Sequence, residues 1–144
     1  MIGYKKILFL LLLTTQLFSA SMYTMDNIKD LNLYIDNQTN FLDKKELEKS
    51  LKNKLEMEGF VFGKVDALIL VIKVQALDIE DSVAIYISIG LGEEVITKRK
   101  DKIETFSYTY LESKFIEAYE PKEDALEALD SLIDDFILAH KDDN

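Results

Sequence analysis

The sequence contains no cysteine, and its 144 residues include one proline, five glycines and one histidine. Without cysteine, neither disulfides nor a cysteine-ligated zinc ion can stabilise the fold, so a hydrophobic core must do so alone. The absence also favours a bacterial envelope, since small extracellular eukaryotic domains are often disulfide-stapled. No internal repeat or low-complexity linker interrupts the chain, and we expect a single domain.

An apolar run long enough to cross a bilayer is also lacking. Two lysines precede the unbroken apolar run Ile7–Leu13, whereas a spanning helix needs about 20 residues. The small residues Ser19–Ser21 follow at the spacing of a signal-peptidase site. The sequence therefore predicts a cleaved secretory signal over residues 1–21 and a mature domain over 22–144. Cleavage after Ala20 and retention as an anchor are the alternatives.

Positively charged residues are fewer than acidic ones. The chain has 17 Lys and Arg residues and 27 Asp and Glu residues, for a formal net charge of −10. Residues 1–21 carry two lysines and no acids, so their removal takes the net charge to −12. The electrostatic field of so negative a protein repels phosphate backbones and anionic head groups. We therefore expect a periplasmic or secreted protein with no nucleic-acid partner and no stable membrane insertion after signal cleavage.

Hydrophobic periodicity predicts an α+β fold in the order β-α-β-β-β-α. The predicted strands fall near residues 31–35, 67–76, 82–91 and 103–111, with a possible short strand at 60–62, and the helices cover 44–58 and the stretch after Pro121. Each helix has one apolar face that needs a surface to cover. We expect a two-layer sandwich, in which a mainly antiparallel meander of about four strands carries two helices on one face.

The first helix has a distinct start and stop in the sequence. Asp43 is placed to cap it, Glu46 stands where a capping box requires an acid, and Gly59 follows its last turn. These residue types satisfy the backbone groups that helix ends leave without partners. In the last helix, His140 and Lys141 lie near the negative end of the dipole, and residues 142–144 are expected to trail into solvent.

Catalytic patterns are lacking as well. His140 is the single histidine and lies five residues from the end, where its position as a dipole partner explains it without a catalytic or metal-binding role. Carboxylates are abundant, but no pair of them stands out as an acid and a base in unlike environments. No calcium loop, phosphate loop or nucleophile elbow occurs. We expect no enzyme, no metal site and no cofactor; a carboxylate-based hydrolase is the enzymatic alternative.

A basic turn is the first candidate for an interaction. It consists of Lys98, Arg99 and Lys100, with Lys102 close by, and is the one concentrated positive charge of an acidic chain. It could contact an anionic partner. The competing interpretation is a solvated hairpin tip that guards an edge strand.

An aromatic strand is the second candidate. Phe106, Tyr108 and Tyr110 alternate along the strand at 103–111, so we expect them on one face, and Tyr86 is expected on the sheet face that the helices leave open. Aromatic side chains on such a face are typical of recognition surfaces. The competing interpretation is an aromatic layer beneath a helix.

The order of elements resembles two envelope modules of Gram-negative bacteria. Several features in succession are similar to LptE-like lipopolysaccharide-assembly lipoproteins and to the amino-terminal domain of TolB. They are the run from Leu31 to Thr39, the helix with Leu47, Leu51 and Leu55, the pair Gly59-Phe60, the further strands and the Ala/Leu-rich last helix. The resemblance covers most of the mature chain and implies the fold type and the compartment, with no functional residues. LptE-like proteins carry a lipid-anchoring cysteine where this chain has Ser21, so we expect no lipid anchor.

Together these features predict a secreted, periplasmic protein that is not an enzyme. Its expected partner is another envelope protein, bound through the sheet face or an edge strand. The alternative is a secreted inhibitor or small-ligand carrier.

Overall fold

The fold is given by a computed structural model that describes residues 25–144, so the predicted signal peptide lies outside the described residues. Its elements in chain order are β1 (Asp30–Gln38), α1 (Lys44–Met57), β2 (Val61–Phe62), β3 (Leu68–Ile79), β4 (Ser82–Ile96), β5 (Glu104–Ala118) and α2 (Pro121–Asp143). Strands and helices both contribute, which confirms the predicted α+β class.

The sheet is mixed rather than a simple meander. Its strand order is β2-β1-β3-β4-β5, with β1 parallel to both β2 and β3, and with β3, β4 and β5 antiparallel to their neighbours in turn. The expected sheet of about four strands therefore has a fifth, the two-residue β2. Helix α1 connects β1 to the strands that follow, and a helical crossover returns the chain parallel to the strand that it left.

The hydrophobic core lies between one face of the sheet and both helices. Alternate strand residues point into it, among them Leu31, Ile35, Leu70, Ile72, Val74, Ile85, Ile87, Ile89 and Leu91, and they form one buried cluster with the apolar stripes of both helices. The helices also contact each other, since Lys54 Nζ on α1 lies 2.5 Å from Asp130 and 2.7 Å from Asp134 on α2. Both helices thus cover the same sheet face, as expected.

Local hydrogen bonds stabilise the starts of both helices, and α1 has the cap at Asp43 and the glycine stop that the sequence indicates. Asp43 Oδ1 accepts a hydrogen bond of 2.9 Å from the backbone N–H of Glu46, and Gly59 takes a φ of +94° just after α1. At the start of α2, Asp124 Oδ2 accepts from the backbone N–H groups of Tyr119 and Glu120. The first bond satisfies a donor that the start of α1 leaves free, and the bonds to Asp124 hold the two residues that lead into α2.

The end of the chain is tied to the start of the described part, so the expectation that residues 142–144 trail into solvent is wrong. Asp143 accepts a hydrogen bond from Met25 N at 2.8 Å, and Asn144 Nδ2 donates to Met25 O at 3.0 Å. His140 Nε2 donates to the carbonyl oxygen of Ile28 at 2.7 Å, because a carbonyl can only accept. These contacts hold α2 in place to its last turn.

Candidate functional site

The sheet face turned away from the helices, here called the open face, is the candidate site. In the register of the sheet, Tyr34, Val71, Gly90 and Leu111 form one row across it, and Gln75, Tyr86 and Phe115 form another. No helix within residues 25–144 covers these rows. Exposed large hydrophobic side chains on this face include Tyr34, Ile69, Leu77, Phe106, Tyr108, Leu111 and Phe115, and the register also places Val61, Ile79 and Ile96 there.

Two glycines of β4 determine how the aromatic side chains lie at one end of the open face. The Phe106 ring lies against the backbone of Gly92, where an added Cβ would come within 2.0 Å of it, and the Tyr108 ring lies 2.7 Å from the corresponding position at Gly90. The two rings meet edge to face with their centroids 5.9 Å apart. Because glycine has no side chain, the two rings can pack this closely against the backbone of β4. About half of each ring stays exposed to solvent.

Tyr110 does not share the face of Phe106 and Tyr108, and the prediction that places all three together is wrong. Leu91 pairs with Tyr110 and the next residue, Gly92, pairs with Tyr108, so β5 carries an extra residue, Thr109, at this point. A bulge of this kind moves the following side chain to the opposite face. Tyr110 is consequently only 2% exposed and packs edge to face on Phe136 of α2 at 5.4 Å.

Beyond the bulge, the open face gains an aromatic residue that the sequence interpretation missed. Phe115 lies directly opposite Tyr86 on β4 and is 74% exposed, whereas Tyr86 is half-buried. The alternation of Leu111, Ser113 and Phe115 was visible in the sequence. Only the register shift at Thr109 shows that this alternation belongs to the same face as Phe106 and Tyr108.

The basic turn forms the tip of the β4–β5 hairpin. Lys98, Arg99 and Lys100 are all exposed there, a few residues from Phe106. Tyr86 stands ten residues before the end of β4, about 33 Å away along the strand. The structure therefore brings the basic turn near Phe106 and Tyr108 and leaves it remote from Tyr86 and Phe115.

The contacts of the reactive side chains are structural. The His140 ring packs against Phe60, with ring centroids 4.7 Å apart, in addition to its bond to Ile28. Lys114 Nζ donates to Ser131 Oγ at 2.5 Å and so joins β5 to α2. A serine nucleophile needs a neighbour that accepts its proton, and this ammonium is a donor.

The charged side chains around the helices likewise form surface pairs. The pKa of Glu48 is lowered by a hydrogen bond and charge from Lys52, one turn along α1. Within residues 25–144, no three His, Asp or Glu side chains are grouped so that they could hold a metal ion. In the same part of the chain, no helix is both long and apolar enough to span a membrane.

Comparison with known proteins gives little further information. No family model and no curated protein matches the chain. Among solved structures, a minor lipoprotein from Acinetobacter baumannii, determined at 2.35 Å, matches with a TM-score of 0.29 and 14% sequence identity, over 76% of this chain and 85% of that one. A similarity of that size carries no argument about fold or function.

Proposed function

We propose that this protein is an exported, non-enzymatic binding module that recognises another protein of the cell envelope with the open face of its sheet. The observation that carries the proposal is the concentration of exposed aromatic and aliphatic side chains on one face of the sheet, while both helices cover the other. Large exposed apolar patches on a protein surface mark interaction sites.

The composition of the open face suits a protein partner. Tyrosine and phenylalanine are enriched at the centres of protein interfaces because they bury a large area with few rotatable bonds. Phe115 and Tyr86 supply such a pair at one end of the face, and Phe106 and Tyr108 supply one at the other. Polar groups adjoin the Tyr86–Phe115 pair, since Gln75 lies beside Tyr86 on β3 and its Nε2 donates to Oε1 of Gln38 on β1 at 2.9 Å. Aromatic anchors with a polar rim are the usual anatomy of such interfaces.

The compartment in this proposal comes from residues 1–21, which have the pattern of a secretory signal. A partner must then be exported as well. The structural contacts of His140 and of the Lys114–Ser131 pair support a binding role over catalysis, since neither presents a base to a nucleophile.

In-cell crosslinking with mass spectrometry tests the proposal. Cells expressing a tagged wild-type chain are compared with cells expressing the double variant Tyr86→Ala/Phe115→Ala, which shortens two open-face side chains. The matched control is Leu126→Ala/Leu138→Ala, because these leucines are exposed on α2, on the opposite side of the molecule. Tyr110 is unsuitable as a test residue, since its side chain is buried.

The proposal predicts one reproducible envelope protein captured by the wild type and by the leucine control, and at least tenfold less of it captured by the open-face variant. Equal capture by all three would assign recognition to another surface. Hydrolysis of a substrate by the purified chain would contradict the non-enzymatic assignment.

A further inference from the structure

The β4–β5 hairpin extends past the rest of the sheet. The pairing of β3 with β4 ends at Ile69 and Gly92, whereas β4 continues to pair with β5 as far as Ile96 and Glu104. Within the described residues, the segment 93–107 is therefore a two-stranded ribbon with a turn, here called the hairpin arm. Its four paired β4 residues correspond to about 13 Å of strand. The arm thereby separates the turn from the rest of the acidic protein.

The tip of this arm is a well-formed turn that presents cations. Lys102 N donates to Arg99 O at 3.0 Å, and Thr97 N donates to Ile103 O at 3.0 Å, so the turn is closed by backbone bonds. Lys102 adopts a φ of +45°, a conformation in which glycine or asparagine is the usual residue. The chain thus carries a lysine at a position where the backbone geometry favours glycine, asparagine or aspartate.

The charge of the tip is largely unneutralised. Lys98, Arg99, Lys100 and Lys102 face a single acid among them, Asp101, which lies 4.0 Å from the Arg99 guanidinium. Four lysines elsewhere in the described part form ion pairs at close range, for example Lys52 with Glu48 at 2.7 Å. Residues 98–102 therefore hold a formal charge of +3 in a chain whose total is −10.

Two acids, Glu93 and Glu94, lie at the base of the arm, whereas Glu104 lies next to the tip, opposite Ile96. Glu94 is four residues from Lys98, about 13 Å along the strand, which exceeds the Debye length of about 8 Å at physiological salt. Glu104 opposes the field of the tip appreciably, and residues 98–104 together hold a formal charge of +2. A surface that meets the arm end-on consequently senses a positive charge.

Apolar side chains flank these cations. Ile96 is 63% exposed and Ile103 is 44% exposed on either side of the turn, and Phe106 follows on β5 at 50%. No side chain of the helices lies on this ribbon to cover them, within the residues that the structure describes. Exposed aliphatic and aromatic groups beside lysine and arginine are typical of segments that lie in the interface of an anionic bilayer.

We propose that the hairpin arm docks the protein peripherally on an anionic lipid bilayer, with the tip cations at the lipid phosphates and Ile96 and Ile103 at the edge of the acyl region. The acidic body is repelled by the same surface, so only the tip can approach it. The tip lies about 33 Å along the strand from Tyr86, at the end of the open face opposite the Tyr86–Phe115 pair. Variants of that pair and variants of the tip therefore test the two assignments separately, although Phe106 belongs to both surfaces.

Vesicle co-sedimentation tests the proposal. The full-length chain is purified in the form that the cells produce and is mixed with vesicles. One set of vesicles is phosphatidylcholine containing a third phosphatidylglycerol, and the other is phosphatidylcholine alone. Any vesicle binding by residues 1–21 is the same in all variants, and binding to the zwitterionic vesicles measures it. The test variant is Lys98→Gln/Lys100→Gln/Lys102→Gln. Its matched control is Lys45→Gln/Lys49→Gln/Lys122→Gln, which removes three exposed lysines from elsewhere on the surface.

We expect the wild type to bind the anionic vesicles more tightly than the zwitterionic ones, and the tip variant to bind them on the order of 100-fold more weakly at low salt. The control should change binding by less than threefold. Ile96→Ser/Ile103→Ser should also weaken binding, and this loss should persist at high salt, since it removes apolar contact rather than charge.

Three results would overturn the proposal. The wild type could show no preference for anionic vesicles. The control could weaken binding as much as the tip variant, which would assign the effect to overall charge. A soluble polyanion such as single-stranded DNA could bind the tip as tightly as the vesicles do, which would replace the bilayer by a general polyanion site.

Discussion

The two faces of the sheet differ in what their side chains do, and β5 shows the difference on a single strand. Tyr110 points to the helices, is 2% exposed and packs on Phe136. Five residues later, Phe115 points the other way and is 74% exposed. Aromatic content alone therefore does not tell which face is the core. The covered face stabilises the fold, and the open face is available for recognition.

The largest expected effect on stability comes from the same substitution, phenylalanine to alanine, made once on each face of the sheet. Phe136→Ala leaves a cavity in the core and should lower the free energy of unfolding by about 3–5 kcal/mol. Phe115→Ala removes an exposed ring and should lower it by less than about 1 kcal/mol. Urea denaturation of both variants, with wild type alongside, measures the two values. Equal losses would show that the open face is as much a part of the core as the covered one.

A smaller effect is expected where the rings of the open face meet the backbone. Gly92→Ala places a Cβ against the Phe106 ring, which must move, and we expect a loss of about 1–3 kcal/mol in the free energy of unfolding. The matched background is Phe106→Ala, in which the same glycine substitution should cost much less. A double-mutant cycle in denaturant gives the coupling. Additive losses would mean that the ring does not rest on Gly92.

The smallest effect concerns the solvent side of the helix layer, where Lys54 joins α1 to α2. Burial alone lowers the pKa of Lys54, but hydrogen bonds and charge from Asp130 and Asp134 outweigh it, and the pKa is raised above 10.5. A raised folded pKa stabilises the protein below the ordinary pKa of 10.5 and ceases to do so as the pH rises through the folded value. The partner carboxylates are mostly exposed, so screening keeps the contribution below about 1 kcal/mol.

Lys54→Gln should accordingly lower the free energy of unfolding slightly at pH 7. The difference from wild type should close as the pH is raised through the folded pKa of Lys54, and also in about 1 M salt. Denaturant titrations of both proteins over this pH range check it. A difference that persists unchanged at high pH would assign the role of Lys54 to packing of its aliphatic stem.

Much of the covered layer could be predicted from the sequence because its signals are local. Asp43 and Gly59 mark the ends of α1 through bonds within a few residues of each. The alternation of Ile85, Ile87 and Ile89 predicts their common face for the same reason. The parallel pairing of β1 with β3 could also have been found, since a strand, a helix and a strand in succession favour a parallel crossover.

The open face could not be predicted in full, because its composition depends on pairing between strands. In the sequence, Phe106, Tyr108 and Tyr110 alternate without a break. The extra residue at Thr109 exists only relative to β4, whose Gly90 and Gly92 provide room for the rings on one side. Register is a long-range property, and a shift of one residue exchanges the faces of all side chains that follow.

Site-specific photocrosslinking in cells tests the distinction between the two faces most directly. A photoreactive phenylalanine analogue is placed at Phe115 on the open face in one strain and at Leu138 on the exposed side of α2 in another. If the open face is the recognition surface, a discrete envelope adduct forms at position 115 and none forms at position 138. Adducts at 138 without any at 115 would contradict this account and assign recognition to the helix layer.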